Sequence, residues 1–270
     1  MANFIRKVDV PSTALATAKA APPPRAEAVA MPRHENRALA SLPEADFALL
    51  ARHLQAVTLP AGAVSPHQHL PLDHVYFPHR GLLSLMAMTS TGETIEVASA
   101  GRGGAICAIT SSGTPDGYLA ALGREPLRVS RVPAARLQAL AAESDAIGRT
   151  IDACREALLL QLRQNLVCSG LHSVEHRLAR WLLEAADRLE TETIPAGQEQ
   201  IAQRLGTRRT TVTLLASKLR SADAIRWGRS RVEIIDRARL ISMACGCYAH
   251  LHECVDALLA PAAPAERPTG

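Results

Sequence analysis

Aromatic side chains are scarce in this sequence, with three Phe, three Tyr and two Trp making up 3% of 270 residues. That argues against an aromatic-lined sugar site and against a stacking platform for single-stranded nucleic acid. No apolar run approaches the roughly 18 residues that a membrane-spanning helix needs, so no membrane role is expected. The charged N-terminus is not followed by an apolar core of signal-peptide length. A secreted, disulfide-stapled scaffold is therefore not expected, and the six cysteines read as thiols of a cytoplasmic protein. Catalytic signatures are missing as well. There are no paired carboxylates in a strand–loop setting, no nucleophile elbow and no phosphate loop with its lysine. A protein that binds rather than catalyses, without a cofactor, is the expectation.

What is present is a globular composition, 47% hydrophobic and 21% charged, enough for a substantial core. The net charge of +4 is modest, but its distribution is uneven. Residues 198–239 hold ten Arg or Lys against four acids, a net of +6, while the other residues together carry −2. A local basic block on a near-neutral body is the electrostatic footprint of a nucleic-acid-binding module.

Residues 1–37 are rich in Ala and Pro, with no apolar periodicity. Such a segment cannot bury enough surface to offset its ordering entropy, so disorder is the leading reading. An organelle transit peptide and a natural start at Met31 are the alternatives. Ser41 followed by Pro43, Glu44 and Asp46 predicts a capped helix start, with the helix running through Phe47, Leu49, Leu50 and Leu54. From Val57 to Val132 the texture changes to short runs broken by Gly and Pro: Val75-Tyr76-Phe77, Leu82 to Met88, Thr94 to Ala98 and Leu127 to Val132. This spacing predicts a small antiparallel roll or barrel. Pro133 then suits the first turn of a helix.

Helical periodicity dominates the remaining chain. Ile147, Ile151, Cys154, Leu158, Gln161, Asn165 and Cys168 fall at alternating four- and three-residue steps, and Leu159, Leu162 and Leu166 form a second stripe. One face of a buried helix is the plain reading. A dimer seam is the sharper one, with Asn165 fixing the register, and two apolar stripes favour it.

The strongest signal lies at 198–215. Ala202 stands where two crossing helices touch, and Gly206 stands where a sharp turn needs a permissive backbone. Ile201, Leu205, Val212 and Leu215 supply apolar contacts that lock the pair, and the outward face of the second helix carries Arg208, Arg209, Thr210 and Thr213. These side chains can meet phosphates or base edges. Two short strands follow around Gly228, with Arg229 and Arg231 near the tip, suited to phosphate contact as a wing.

This helix-turn-helix with its wing, the following Ile235-Asp236-Arg237-Ala238-Arg239-Leu240 and the upstream Glu175-His176-Arg177-Leu178-Ala179-Arg180-Trp181 resemble the C-terminal domain of the Crp/Fnr family of bacterial transcription regulators. Asp73-His74-Val75-Tyr76-Phe77-Pro78, Gly81 and Gly101-Arg102-Gly103-Gly104 are similar to that family's cyclic-nucleotide-binding-like sensor domain. The resemblance implies an α+β chain in five parts. These are a tail (1–37), an antiparallel β-roll sensor (38–143), a dimerisation helix (144–170), a winged helix-turn-helix (171–242), and a terminal helix with a Pro/Ala tail (243–270). It implies a homodimer on a two-fold symmetric DNA operator, answering to an unidentified small-molecule signal, with RNA polymerase as a further candidate partner. The implied DNA-contacting set is Arg208, Arg209, Thr210, Thr211, Thr213, Lys218, Arg229 and Arg231. Arg209, Thr210 and Thr213 would face bases, and Arg208 and the wing would face the backbone. The dimer set is Ile147, Ile151, Cys154, Leu158, Gln161 and Asn165.

Two departures bear on the sensor. After Gly103-Gly104 come Ala105-Ile106-Cys107, and no Arg-Ser/Thr-Ala cassette for a cyclic phosphate follows. The first cysteine is Cys107, so the N-terminal cysteines of iron–sulfur members are missing. His67, His69, His74 and His79 lie close together, and a loop-and-strand surface explains them more simply than haem. On a helix Cys247, His250 and Cys254 share a face near Cys245, but three ligands on one helix lack a fourth. Free thiols on a partly buried terminal helix are the leading expectation there.

Overall fold

The structure, a computed structural model, describes residues 26–27, 33–59, 74–89, 93–106, 117–122 and 127–259. The chain begins with β1 (Ala26–Glu27), a 3-10 turn (Arg33–Glu35), α1 (Arg37–Ala40) and α2 (Glu44–Ala51). Among the described residues, six strands make the roll: β2 (Gln55–Leu59), β3 (His74–Pro78), β4 (Leu82–Met88), β5 (Thr94–Ala100), β6 (Gly117–Leu122) and β7 (Leu127–Pro133), with β1 added at one edge. They pair antiparallel in two sheets, β1-β2-β7-β3 and β5-β4-β6. Val57, Val75, Phe77, Leu83, Val129 and Val132 from both sheets meet in one core. The fold is the expected mixed one, an antiparallel roll followed by helices.

Pro133 precedes α3 (Ala134–Glu143) with φ −57°, a value its ring imposes, so the strand turns directly into the helix. Ser144 then caps α4 (Asp145–Leu171): its Oγ accepts from the Ile147 N–H at 3.2 Å, and its hydroxyl reaches Asp46 Oδ1 at 2.6 Å. Such a cap contributes about 1 kcal/mol. Helix α5 (Val174–Leu189) follows after His172, capped by Ser173. Next come β8 (Thr193–Ile194), α6 (Gln198–Leu205), α7 (Arg209–Ser221), β9 (Ile225–Trp227), β10 (Val232–Ile234), α8 (Arg237–Met243) and α9 (Cys247–Leu259). Here Leu178, Leu182, Ile201, Leu205, Val212, Leu219, Val232 and Leu240 form a second core. The expected hairpin is β9–β10, and β8 joins it as a third antiparallel strand that the sequence reading missed.

Three smaller expectations need correction first. Ser41 does not cap α2; it ends α1 and donates from Oγ to the Ala38 carbonyl at 2.9 Å, and α2 starts after Pro43 without a side-chain cap. Leu54 lies beyond α2, because the chain tightens at His53 and Leu54 to enter β2. The tail expectation fails at its end: Ala26 and Glu27 pair with Val57 and Ala56, and Asn36 is buried and donates to the carbonyls of Pro78 and Gly104. Residues 1–25 and 28–32, Met31 among them, lie outside the described residues.

The largest correction concerns the seam of α4. Ile147, Ile151, Cys154 and Leu158 are each 2% exposed or less and belong to the roll core of their own chain. Gln161 accepts from the Ser99 N–H at 3.0 Å, and Asn165 donates to the Val97 carbonyl at 2.8 Å. This face is consumed by β5, so its polar members satisfy strand backbone and do not set a dimer register. The exposed apolar residues of α4 are on the second stripe and beyond it: Leu159, Leu166, Val167 and Leu171.

Candidate nucleic-acid interface

Helices α6 and α7 are joined by Gly206, whose φ of +60° is left-handed backbone that a side chain disfavours. A Cβ there would also come within 2.9 Å of Ile95 Cδ1, so the turn packs directly on β5. Arg177 of α5 donates to the Leu205 carbonyl at 2.8 Å, a cation placed at the negative end of α6. Gln203 Nε2 donates to Thr94 Oγ1 at 2.7 Å. These contacts hold the first helix of the motif and leave the second helix facing outward.

The start of α7 is unusual for a stable helix end. Its N-cap is Arg208, which makes no capping hydrogen bond, and its first turn carries no acid. Two cations, Arg208 and Arg209, sit where the helix dipole already presents positive charge. That arrangement costs the isolated helix stability and suits an anion, since open N–H groups and two cationic residues share one helix end.

The structure brings most of the expected contact residues to one surface. Arg208, Arg209, Thr210 and Thr213 are exposed, and Thr211 is half-buried. The Thr213 hydroxyl lies 2.8 Å from Gln198 Oε1 and 3.0 Å from the Arg209 carbonyl. Arg209 and Arg229 line one cleft of about 460 Å³ with Gly197, Gln198, Glu199 and Gly228, so the wing tip and the start of α7 border the same opening. Arg231 is exposed on the wing. Lys218 stands apart, on the last turn of α7, where it pairs with Glu175 at 2.6 Å. Leu214 projects from α7 with 71% exposure, a residue the sequence reading passed over and one that suits apolar contact with a thymine methyl.

Another member of the basic block is turned inward. The Arg204 side chain is fully buried, with Nε 3.2 Å from Glu96 Oε2. The same carboxylate accepts from Ser84 Oγ at 2.6 Å and Trp181 Nε1 at 3.0 Å. Glu96 thus ties α5 and α6 to the roll, a junction no local signal announced. Beside it, Gly101 lies so close to α5 that a Cβ would fall 2.2 Å from the Arg188 carbonyl oxygen. A cavity of about 630 Å³ opens at this junction, lined among others by Ser99, Gln161, Glu184, Arg188 and Tyr248.

The histidine and cysteine groups regroup. His79 is buried and 2.7 Å from Ser130 Oγ, and burial pushes its pKa down. His67 and His69 lie outside the described residues. Cys154 is locked in the roll core, where burial pushes its thiol up to about 11. The face of Cys247, His250 and Cys254 divides: Cys254 Sγ lies 3.9 Å from His250 Nε2, whereas Cys247 and Cys245 turn towards α4, where they meet Cys168 and His172. The i+4 spacing of Cys168 and His172 was visible in the sequence, but nothing local linked it to residues 245–247.

Together these features define a β-roll protein with a winged helix-turn-helix. Residues 176–243 match the family described as the Crp-like helix-turn-helix domain. Among solved structures, FixK2 from Bradyrhizobium japonicum is similar with a TM-score of 0.60 at 19% identity, over 72% of this chain and 98% of its own. The c-di-GMP responsive global regulator CLP of Xanthomonas campestris is similar with a TM-score of 0.58 at 16% identity, over 71% and 99%. A putative Crp/Fnr-family regulator from Eubacterium rectale gives 0.57 at 15% identity, over 78% and 98%. No curated protein matches the chain. The chain therefore has the Crp/Fnr fold with a Crp-like helix-turn-helix domain, as the sequence resemblance implied.

Proposed function

We propose that this chain is a sequence-specific transcription regulator that binds duplex DNA as a homodimer on a two-fold symmetric operator, and that it is not an enzyme. The observation that carries the reading is the uncapped, doubly cationic start of α7 sharing a cleft with wing residue Arg229. A helix N-terminus reinforced by arginines receives phosphate, while the following turn reaches base edges in the major groove. Arg209, Thr210 and Thr213 read bases; Arg208, Arg229 and Arg231 hold the backbone; Thr211 and Lys218 are peripheral.

Dimerisation is assigned to α4 through Leu159, Leu166, Val167 and Leu171, with half-buried Leu162 between them. Exposed leucines two helical turns apart make a self-complementary stripe, and a two-fold pair would place two α7 helices on half-sites about 34 Å apart. The same division of labour assigns 38–143 to sensing, 144–170 to dimerisation and 171–242 to DNA. The cavity at the roll–helix junction is the natural place for a small effector, because its walls come from both domains. Chromosomal DNA as target implies a cytoplasmic protein, with RNA polymerase as the partner through which transcription would respond.

The test is binding of the full chain to genomic fragments, mapped with and without stress, followed by a salt series on the recovered site. Specific affinity that exceeds scrambled DNA by about 10³ or more, and falls steeply with salt, supports the reading. Weak binding to all duplexes alike overturns it in favour of a sensor whose output is a protein contact.

A further inference from the structure

The C-terminal end of α4 and the short connection between α8 and α9 bring together three thiols and one imidazole. The donor atoms of Cys168, His172, Cys245 and Cys247 all lie within 4.8 Å of one another. Cys168 Sγ is 3.9 Å from Cys245 Sγ and 3.4 Å from His172 Nδ1, and Cys247 Sγ is 3.8 Å from the same Nδ1. A tetrahedral zinc ion with Zn–S near 2.3 Å and Zn–N near 2.0 Å sets ligand edges of about 3.8 Å between sulfurs and about 3.5 Å between sulfur and nitrogen. These three edges agree with that polyhedron to a few tenths of an ångström.

We propose that Cys168, His172, Cys245 and Cys247 form a structural Zn²⁺ site of Cys₃His type. The donor set is the soft, closed one that selects zinc over oxygen-seeking cations. The chain supplies it in two halves, Cys-x₃-His at the end of one helix and Cys-x-Cys more than 70 residues later. Cys168 and Cys245 are buried, and Cys247 and His172 are half-buried, so the site is shielded yet reachable by an ion. A disulfide between Cys168 and Cys245 would use two of the four donors and leave Cys247 and His172 unexplained.

The surroundings match a metal thiolate. Gln164 Nε2 lies 3.4 Å from Cys168 Sγ, where it can donate to a thiolate. The buried guanidinium of Arg180 interacts electrostatically with all three sulfurs. Zn²⁺ with three thiolates and neutral imidazole carries a net −1, which that cation offsets; the three thiol protons leave to solvent on binding. The bound ion would pin the start of α9 to the end of α4, joining the terminal helix to the helix assigned to dimerisation.

The test uses the full chain, purified without a polyhistidine tag under reducing conditions. Elemental analysis is expected to find about one zinc per protomer. Co²⁺ added to the metal-free protein is expected to give the intense visible bands of tetrahedral cobalt with thiolate charge transfer in the near ultraviolet. Cys247→Ser should weaken Co²⁺ binding by more than the roughly 100-fold that loss of an outer-sphere partner costs, while Cys254→Ser leaves it unchanged. Because the wild-type cobalt spectrum needs no variant, a misfolded Cys247→Ser would not shield the proposal. Three results overturn it: a folded protein that carries no zinc and gives only weak octahedral cobalt bands, an intact mass 2 Da low from a Cys168–Cys245 disulfide in that reduced protein, or loss of the cobalt bands in Cys254→Ser.

Discussion

Glu96 on β5 and Arg204 on α6 form an ion pair of 3.2 Å between side chains that are 6% and 0% exposed, joining the roll to the first helix of the helix-turn-helix. Because Ser84 and Trp181 satisfy the same carboxylate, the pair is the centre of a buried polar network that crosses the boundary between the two cores. The placement of α6 against the roll therefore depends on charge complementarity as well as on apolar packing.

Removing one partner leaves the other charge buried. Arg204→Met should lower stability by about 3–5 kcal/mol in urea unfolding, and the double change with Glu96→Gln should recover part of that loss. A double variant as unstable as the sum of both singles would show that the two side chains act independently.

The exposed stripe on α4 predicts a separation of two phenotypes. Leu166→Glu, at a position 76% exposed in the protomer, should weaken dimerisation by about 2 kcal/mol or more, roughly thirtyfold, with the melting of the fold little changed. Ile151→Glu, inside the roll core, should instead unfold the protein. Light scattering with circular dichroism distinguishes dissociation from unfolding, and a Leu166→Glu protein that stays dimeric at nanomolar concentration would remove α4 as the interface.

Arg209 and Arg229 border one cleft but should do different work. A bidentate arginine–guanine contact discriminates by about 1–3 kcal/mol, so Arg209→Ala should bring operator affinity towards that for scrambled duplex. Arg229→Ala should weaken both equally and reduce the salt slope by about one unit. Equal loss on both sequences for Arg209→Ala would pass base reading to Thr210 or Thr213.

His79 predicts an acid-side loss of stability. Burial lowers its pKa below the ordinary 6.5, so the folded state binds the proton less well than the unfolded chain does. Its stabilising contribution is complete above pH 6.5 and shrinks as pH falls below that value, at no more than about 1.4 kcal/mol per pH unit. His79→Gln, which keeps a partner for Ser130, should flatten this part of the urea-midpoint profile between pH 7.5 and 5.5. A profile of unchanged slope would assign the acid sensitivity to other groups.

The helix-turn-helix was legible in the sequence because its determinants are local. Ala202, Gly206, Val212 and the cations around 208 act within one supersecondary unit, and a spacing rule sees them all at once. Strands β3, β4, β5 and β7 were legible for the same reason, each bounded by its own Gly or Pro. Strand β2 and the two-residue β8 are also closed by a proline, Pro60 and Pro195, but they are short, and their pairing is set by partners far along the chain.

Sequence alone determined that α4 has a buried face, that a basic helix pair follows it, and that cysteines recur near residue 245. Tertiary structure decided what each meets. Periodicity records that a face is apolar but not its partner, so Ile147 to Leu158 could read as a dimer seam until β5 and the roll core covered them. Charge along a chain does not separate Arg204, paired under the sheet, from Arg209, open to solvent. Helical spacing grouped Cys247 with His250 and Cys254, whereas packing of α9 on α4 grouped it with Cys168 and His172. In each case the deciding contact joins residues dozens of positions apart, and only the closed core brings such residues within bonding distance.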